Sequence, residues 1–201
     1  MLKQLYIKNF TLIDELDIPL YPGFSVITGE TGAGKTTLVR MLLALMRPKS
    51  GHIYMYDADG EKELTPLMRC NFVYVPQGNT LLSGTIRENL LLGDATATDE
   101  MMREALRKSC AEFVFNLPDG LDTHCSECGG GLSEGQAQRI AIARALLRNR
   151  AVLVFDEATS ALDSETECRL LRNILDNDTH TVIFITHRPA VLEYCSQQLV
   201  I

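Results

Sequence analysis

One short segment of this 201-residue chain has glycine, lysine and hydroxyl side chains at a spacing suited to binding phosphate groups. It reads Gly-Glu-Thr-Gly-Ala-Gly-Lys-Thr and matches the pattern G-x-x-x-x-G-K-[ST]. Its glycines let backbone N–H groups converge on phosphate oxygens, and the positive end of the following helix adds to that attraction. Lys35 is expected to reach the β- and γ-phosphates, and the Thr36 hydroxyl to bind Mg²⁺. The predicted contacts to the phosphates of the nucleotide are Gly29, Glu30, Thr31, Gly32, Ala33, Gly34, Lys35, Thr36 and Thr37.

Two adjacent carboxylates follow a second apolar segment. Asp156 and Glu157 come directly after Ala151–Phe155, which has the composition of a buried strand in a parallel sheet. A phosphate-binding loop requires a carboxylate that holds its Mg²⁺ ion, and Asp156 is the candidate. Glu157 is the candidate for polarising the attacking water. The two motifs together predict Mg²⁺-dependent binding and hydrolysis of a nucleoside triphosphate; the choice of ATP follows from the resemblance described below.

Predicted strands and helices alternate around these residues. Apolar runs rich in β-branched and aromatic residues predict strands, and apolar residues at helical spacing predict helices. The predicted strands are Leu2–Asn9, Phe24–Thr28, His52–Tyr56, Asn71–Val75, Ala151–Phe155, Thr181–Thr186 and Gln198–Ile201. The predicted helices are Thr36–Met46, Asp99–Ser109, Ser133–Leu147 and Glu165–Leu175. This alternation predicts an α/β fold with a mostly parallel sheet, which we expect to form one domain over residues 1–201.

Composition argues against several classes of protein. Hydrophobic residues make up 46% of the chain and charged residues 22%, as in ordinary globular proteins. No apolar run approaches the ~20 residues of a membrane span, and no secretory signal is recognised, so we expect a cytoplasmic location. A net charge of −7 argues against DNA as a partner. Cys125 and Cys128 form a C-x-x-C pair without the second pair that zinc sites use, so we expect no zinc site.

Further motifs resemble those of ABC ATPases and occur in the order of that family. Leu132–Gln136 reads Leu-Ser-Glu-Gly-Gln and resembles the ABC signature, which is usually Leu-Ser-Gly-Gly-Gln. Gln77 resembles the Q-loop glutamine, and His187 resembles the H-loop histidine. Ser160–Asp163 resembles the D-loop. Residues from about 37 to 201 are most similar to the nucleotide-binding domain of an ABC exporter.

This resemblance implies a fold and a set of roles. The fold is that of an ABC-type P-loop NTPase, with a small antiparallel β part and a helical signature subdomain at roughly residues 79–145. Mg²⁺ would be bound by Thr36, Gln77 and Asp156. The catalytic residues would be Lys35, Glu157 and His187, with His187 contacting the γ-phosphate.

The resemblance also implies partners. Two copies would pair head to tail on ATP, so that Ser133, Gly135 and Gln136 of one copy contact the nucleotide of the other. Hydrolysis would drive a separate transmembrane subunit that contacts the regions of Gln77 and Glu127. The chain would then lie at the inner face of the membrane through that partner.

The first 35 residues are similar to a different relative. Met1–Phe10, Ile13–Asp17 and Gly29–Lys35 resemble the start of a RecN-type DNA-repair ATPase, an SMC-like member of the wider superfamily. This predicts a chimera that is joined at the phosphate-binding loop. It also raises the alternative of a DNA-repair ATPase head. Such heads have a long coiled coil between Q-loop and signature, whereas residues 78–132 contain Pro118 and several glycines, which disfavour one.

Glu134 departs from the signature because it replaces the middle glycine. Ser133 and Gln136 keep the spacing of a capping box, so we expect the helix to start normally. A carboxylate in the first turn also favours the helix. The same charge near a partner's γ-phosphate would be repulsive. This leaves open the alternative of a nucleotide-binding module with little turnover.

Overall fold

The computed structural model describes residues 4–10, 13–19, 23–28, 35–47, 53–57, 60–126, 131–176 and 180–200. The strands in this part of the chain are β1 Gln4–Phe10, β2 Ile13–Pro19, β3 Gly23–Thr28, β4 Ile53–Asp57, β5 Gly60–Glu63, β6 Phe72–Val75, β7 Gly84–Thr85, β8 His124–Cys125, β9 Val152–Asp156, β10 Thr181–Ile185 and β11 Gln197–Val200. The α-helices are α1 Lys35–Leu42, α2 Ile86–Leu91, α3 Asp99–Lys108, α4 Glu134–Leu147, α5 Ser164–Leu175 and α6 Pro189–Leu192. No helix among these residues is long and apolar enough to cross a membrane.

The strands form three sheets. A five-stranded sheet has the order β11-β3-β10-β9-β6, and β3 pairs in parallel with both β10 and β11. A four-stranded antiparallel sheet has the order β2-β1-β4-β5. The short strands β7 and β8 form an antiparallel pair. The predicted α/β fold, with a mostly parallel sheet and a small antiparallel β part, is therefore confirmed.

The chain divides into two compact units. The first contains Met1–Val73, Arg150–Val154 and Asp178–Ile201, and the second contains Tyr74–Asn149 and Phe155–Asn177. In the first unit, the rings of Phe24 and Phe184 pack edge to face with centroids 5.0 Å apart, which joins β3 to β10. In the second unit, Leu90, Leu106 and Ile140 form a buried core between α2, α3 and α4. The single domain with a helical part at residues 79–145 remains a prediction.

The observed ends of several elements differ from the predicted ends, and some of the observed elements were not predicted. The predicted helix Thr36–Met46 ends four residues early because α1 stops at Leu42 and Ala44 takes a left-handed conformation with φ 51°. The sequence patterns missed strands β2, β5, β7 and β8 and helices α2 and α6. Every residue of β5 is exposed, so it has no apolar face for a sequence pattern to detect. Ile201, at the end of the last predicted strand, lies outside the described residues.

The start of α4 agrees with the prediction. Ser133 is the N-cap, and its hydroxyl accepts a hydrogen bond from the N–H of Gln136 at 3.2 Å. The side-chain oxygen of Gln136 accepts in return from the N–H of Ser133 at 2.9 Å. These two bonds form the capping box expected from the sequence. Glu134 is the first residue of the helix and is exposed.

Candidate nucleotide-binding and hydrolysis site

Two neighbouring parallel strands of the first unit lead to Lys35 and His187. Strand β3 ends at Thr28, and α1 begins at Lys35 after the predicted phosphate-binding loop. Strand β10 pairs with β3, and the N–H of Thr186 donates to the carbonyl of Ile27 at 3.2 Å. His187 therefore follows the strand next to the loop. Ligands of α/β proteins bind at this carboxyl edge of the sheet.

Lys35 is buried at the first position of α1, with 9% of its surface exposed. An ammonium group beside the N–H groups of a helix start presents positive charge to an anion. Lys35 and the start of α1 therefore fit a phosphate. Thr37 is half-buried and His187 is exposed. Residues 29–34 and the side chain of Thr36 lie outside the described part of the chain.

The predicted Mg²⁺ ligands of the second unit supply oxygen atoms. Asp156 is buried at the end of β9, and the hydroxyl of Tyr74 donates to its Oδ2 atom at 2.8 Å. Gln77 is exposed, two residues after the end of β6. No cluster of three or more His, Cys, Asp or Glu side chains suited to a metal occurs among the described residues. A Mg²⁺ ion that is bound mainly by phosphates and water needs only one or two such groups, so the residues fit it.

Glu157 has an unusual backbone conformation that the sequence did not indicate. Its φ angle is 48°, in the left-handed region that costs a residue with a Cβ atom ~1–2 kcal/mol. Its carbonyl accepts a hydrogen bond from the N–H of Ser160 at 3.1 Å, which closes a tight turn after β9. Strain of this kind persists where the surrounding structure imposes it, and it is common at functional sites.

The start of α4 contacts this turn through a residue that sequence reasoning did not single out. Gln138 is 1% exposed and donates from Nε2 to the Ser160 hydroxyl at 3.3 Å. Its Oε1 atom accepts from the N–H of Ala161 at 3.2 Å. The predicted signature helix and the turn that carries Glu157 are therefore linked within one unit. No sequence signal pointed to this contact, because the burial of Gln138 and its need for hydrogen-bond partners become evident only in the structure.

Gly135 lies against the same turn. A Cβ atom on Gly135 would lie 2.8 Å from the carbonyl oxygen of Ala161, closer than real Cβ contacts allow. We therefore expect Gly135→Ala to lower the free energy of unfolding by ~1–3 kcal/mol, as overpacking usually does. Denaturant unfolding measures the change. Glu134→Ala, at the exposed neighbouring position, is the control and should have a smaller effect. Equal stability of Gly135→Ala and wild type would contradict the close approach of Gly135 to the carbonyl oxygen of Ala161.

Comparison with known protein families decides where the chain belongs. The family profile described as "ABC transporter" matches residues 14–160, which include the phosphate-binding loop, the signature and the Asp156–Glu157 pair. This chain belongs to the ABC transporter family.

Individual relatives agree with this assignment. This ABC domain is 42% identical over 188 residues to "ABC transporter 1" of Ajellomyces capsulatus, covering 90% of this chain and 14% of that protein. It is 37% identical over 195 residues to "ATP-dependent permease MDL1, mitochondrial" of Schizosaccharomyces pombe, covering 95% and 27%. A solved bacterial Atm1-family ABC exporter with ATP bound matches it with a TM-score of 0.88 and 31% identity, covering 98% of this chain and 37% of that one. The exporter-type ABC fold is thereby confirmed, in a chain that spans well under half the length of these relatives.

The same relatives give no support to a RecN-like start or a chimera. Residues 37–201 are about four fifths of the chain, whereas the alignment with the S. pombe permease covers 95% of it. Exporter similarity therefore extends into the first 36 residues. The ABC transporter profile also begins at residue 14, before the predicted join. Exporter relatives account for the chain on both sides of the phosphate-binding loop.

Proposed function

We propose that this ABC domain binds ATP with Mg²⁺ and hydrolyses it as the energy-coupling module of an exporter. The observation that carries the proposal is the end of β9. There a buried carboxylate, Asp156, is held by a hydrogen bond, and the next residue, Glu157, is kept in a strained conformation. A buried carboxylate suits a cation, and a strained backbone at the next residue is typical of a group that must face a substrate.

Binding of ATP falls to the predicted phosphate-binding loop and the start of α1. Lys35 neutralises negative charge on the β- and γ-phosphates, with the amides of Gly29–Gly34 and the start of α1 donating hydrogen bonds. Thr36, Gln77 and Asp156 would hold Mg²⁺, which would neutralise charge on the phosphate oxygens. Thr37 adds a hydroxyl beside the phosphates.

Hydrolysis requires a proton acceptor. A water molecule attacks the γ-phosphorus, and its proton passes to the carboxylate of Glu157. The bond between the γ-phosphorus and the oxygen that bridges to the β-phosphate breaks, and ADP and inorganic phosphate are released. His187, after the strand next to the phosphate loop, contacts the γ-phosphate and holds it in position. Lys35 remains paired with the charge that shifts toward the leaving oxygen.

A complete site requires a second copy. Ser133, Gly135 and Gln136 lie at the start of α4, where N–H groups of the first helical turn point outward, and Ser133 and Glu134 are exposed. In a head-to-tail homodimer this helix start faces the γ-phosphate bound by the other copy. The relatives are named as a permease and an exporter, so we extend the proposal to a transmembrane partner that holds this domain at the inner face of the membrane. Glu127, a predicted contact to that partner, lies outside the described residues.

Steady-state ATPase rate against protein concentration tests the proposal. A dimeric site predicts a rate that rises with the square of concentration while the chain is mostly monomeric. A linear rise would contradict the shared site. A rate near zero with ATP affinity retained would instead favour the alternative of a binding module with little turnover.

The Glu134 carboxylate gives a separate prediction. We expect Glu134→Gly to maintain or raise turnover, because it removes a fixed negative charge from the helix start that would face the partner's γ-phosphate. The helix should lose no more than ~1 kcal/mol of charge–dipole stabilisation. Turnover and thermal unfolding are measured together. Glu165→Gly, in the exposed first turn of α5, is the matched control, and a clear fall in the turnover of Glu134→Gly at unchanged stability would contradict the prediction.

A further inference from the structure

Tyr74 makes a polar contact with Asp156 that no motif predicts. It is a half-buried residue of β6, the strand next to β9 in the five-stranded sheet. Its hydroxyl donates to Asp156 Oδ2 at 2.8 Å, across 82 positions of sequence. Asp156 is 8% exposed, so few water molecules can reach its carboxylate.

The hydroxyl of Tyr74 restricts Asp156 without neutralising it. An ionised carboxylate has two oxygens with about four lone-pair positions. A donor on Oδ2 limits rotation of the carboxylate and leaves the Oδ1 atom to bind a cation. A phenol is neutral, so it brings no positive charge close to Asp156. A lysine or arginine at the same place would offset the negative charge that attracts the cation. Hydrogen bonds that orient a metal-binding carboxylate in this way contribute strongly to metal affinity.

We infer that Tyr74 is a positioning residue for the divalent cation, acting through Asp156. The inference rests on the proposed function, in which Asp156 binds Mg²⁺. A merely structural hydrogen bond would stabilise the fold and leave cation affinity unchanged. The inferred role instead requires that loss of the hydroxyl weaken cation binding in the folded protein.

The test compares Tyr74→Phe with wild type by titrating Mn²⁺ in the presence of ATP and recording bound Mn²⁺ by electron paramagnetic resonance. Mn²⁺ is a suitable probe because it accepts the same oxygen ligands as Mg²⁺. We expect Mn²⁺ affinity to fall ~10-fold or more. The Mg²⁺ concentration for half-maximal ATPase rate should rise by a similar factor, and the rate should recover at high Mg²⁺. ATP affinity without metal should not change, because Lys35 and the loop amides bind the phosphates.

Two further variants separate the possible failures. Tyr54→Phe removes an equivalent hydroxyl from β4 of the antiparallel sheet and should bind Mn²⁺ like wild type. Asp156→Asn should lose most Mn²⁺ affinity. If it does not, the proposed cation role of Asp156 fails, and the inference fails with it. If Asp156→Asn weakens Mn²⁺ binding but Tyr74→Phe does not, the inference about Tyr74 alone is overturned.

Folding is checked by circular dichroism and thermal unfolding. Phenylalanine keeps the ring of Tyr74, so the variant should fold. Tyr74→Met, which also lacks a donor, repeats the measurement if Tyr74→Phe is unstable. Loss of the folded spectrum in both variants would make the role of Tyr74 structural and would overturn the inference.

Discussion

Lys35→Ala is expected to weaken ATP binding by at least one order of magnitude. Lys35 is buried at the first position of α1, where its charge and the helix N–H groups converge. Alanine keeps the helix, since it has the highest helix propensity, and removes the cation. Loss of one charge-assisted phosphate contact costs ~1.5–3 kcal/mol, which is about 10- to 150-fold in affinity before any loss of Mg²⁺. Calorimetric titration with ATP measures the effect.

Arg40→Ala provides the control for Lys35→Ala. Arg40 is an exposed cation in the last turn of the same helix, so its replacement changes net charge and helix composition in the same way. The ATP affinity of Arg40→Ala should stay near that of the wild type. Unchanged affinity in Lys35→Ala itself would exclude the phosphate-binding assignment of this segment.

Glu157→Gln is expected to slow hydrolysis while ATP binding is preserved. Glutamine has the same length and hydrogen-bonding reach as glutamate, but it cannot accept the proton of the attacking water. General-base assistance is worth ~10²–10⁴-fold in rate, so turnover should fall by that factor. Affinity for ATP should hold, because the proposed phosphate contacts come from Lys35 and the loop amides and not from Glu157. Both side chains have a Cβ atom, so the strain of the φ angle of 48° is the same in wild type and variant.

The state of assembly gives a second readout for Glu157→Gln. Removal of a negative charge beside the γ-phosphate should favour the closed dimer with ATP, which light scattering detects as a doubled mass. Glu165→Gln, at an exposed helix position, is the control with unchanged rate and mass. Hydrolysis at the wild-type rate would remove Glu157 from the catalytic residues. A slow variant that stays monomeric with bound ATP would keep the chemistry and reject the shared site.

The sequence predicted the elements whose signals are local. The capping box of Ser133 and Gln136 is a short pattern with a direct physical cause, and α4 begins where it predicts. The apolar run before Asp156 likewise identified β9. In contrast, the hydrogen bonds of Tyr74 with Asp156 and of Gln138 with Ser160 join segments far apart in the chain, and no local pattern encodes them.

The RecN-like assignment of the first 35 residues found no support among the relatives, for a related reason. A phosphate-binding loop is shaped by the geometry of the phosphates, so its sequence is shared among ABC relatives with different tasks. Gly29–Lys35 could therefore predict a ligand, but the short stretches before it could not decide between branches of the family. Alignment over nearly the whole chain distinguished the exporter branch.

The buried amide of Gln138 has a consequence for how hydrolysis at the two ATP sites of the proposed dimer would be coupled. Gln138 donates a hydrogen bond to the Ser160 hydroxyl, and the N–H of Ser160 donates to the carbonyl of Glu157. A shift of α4 would therefore reach the backbone of Glu157, the proposed general base. In the proposed dimer, the helix start of each copy senses the nucleotide of the other. Occupancy of one site would then alter the base of its neighbour, which makes the rate respond cooperatively to ATP, with a Hill coefficient between about one and two.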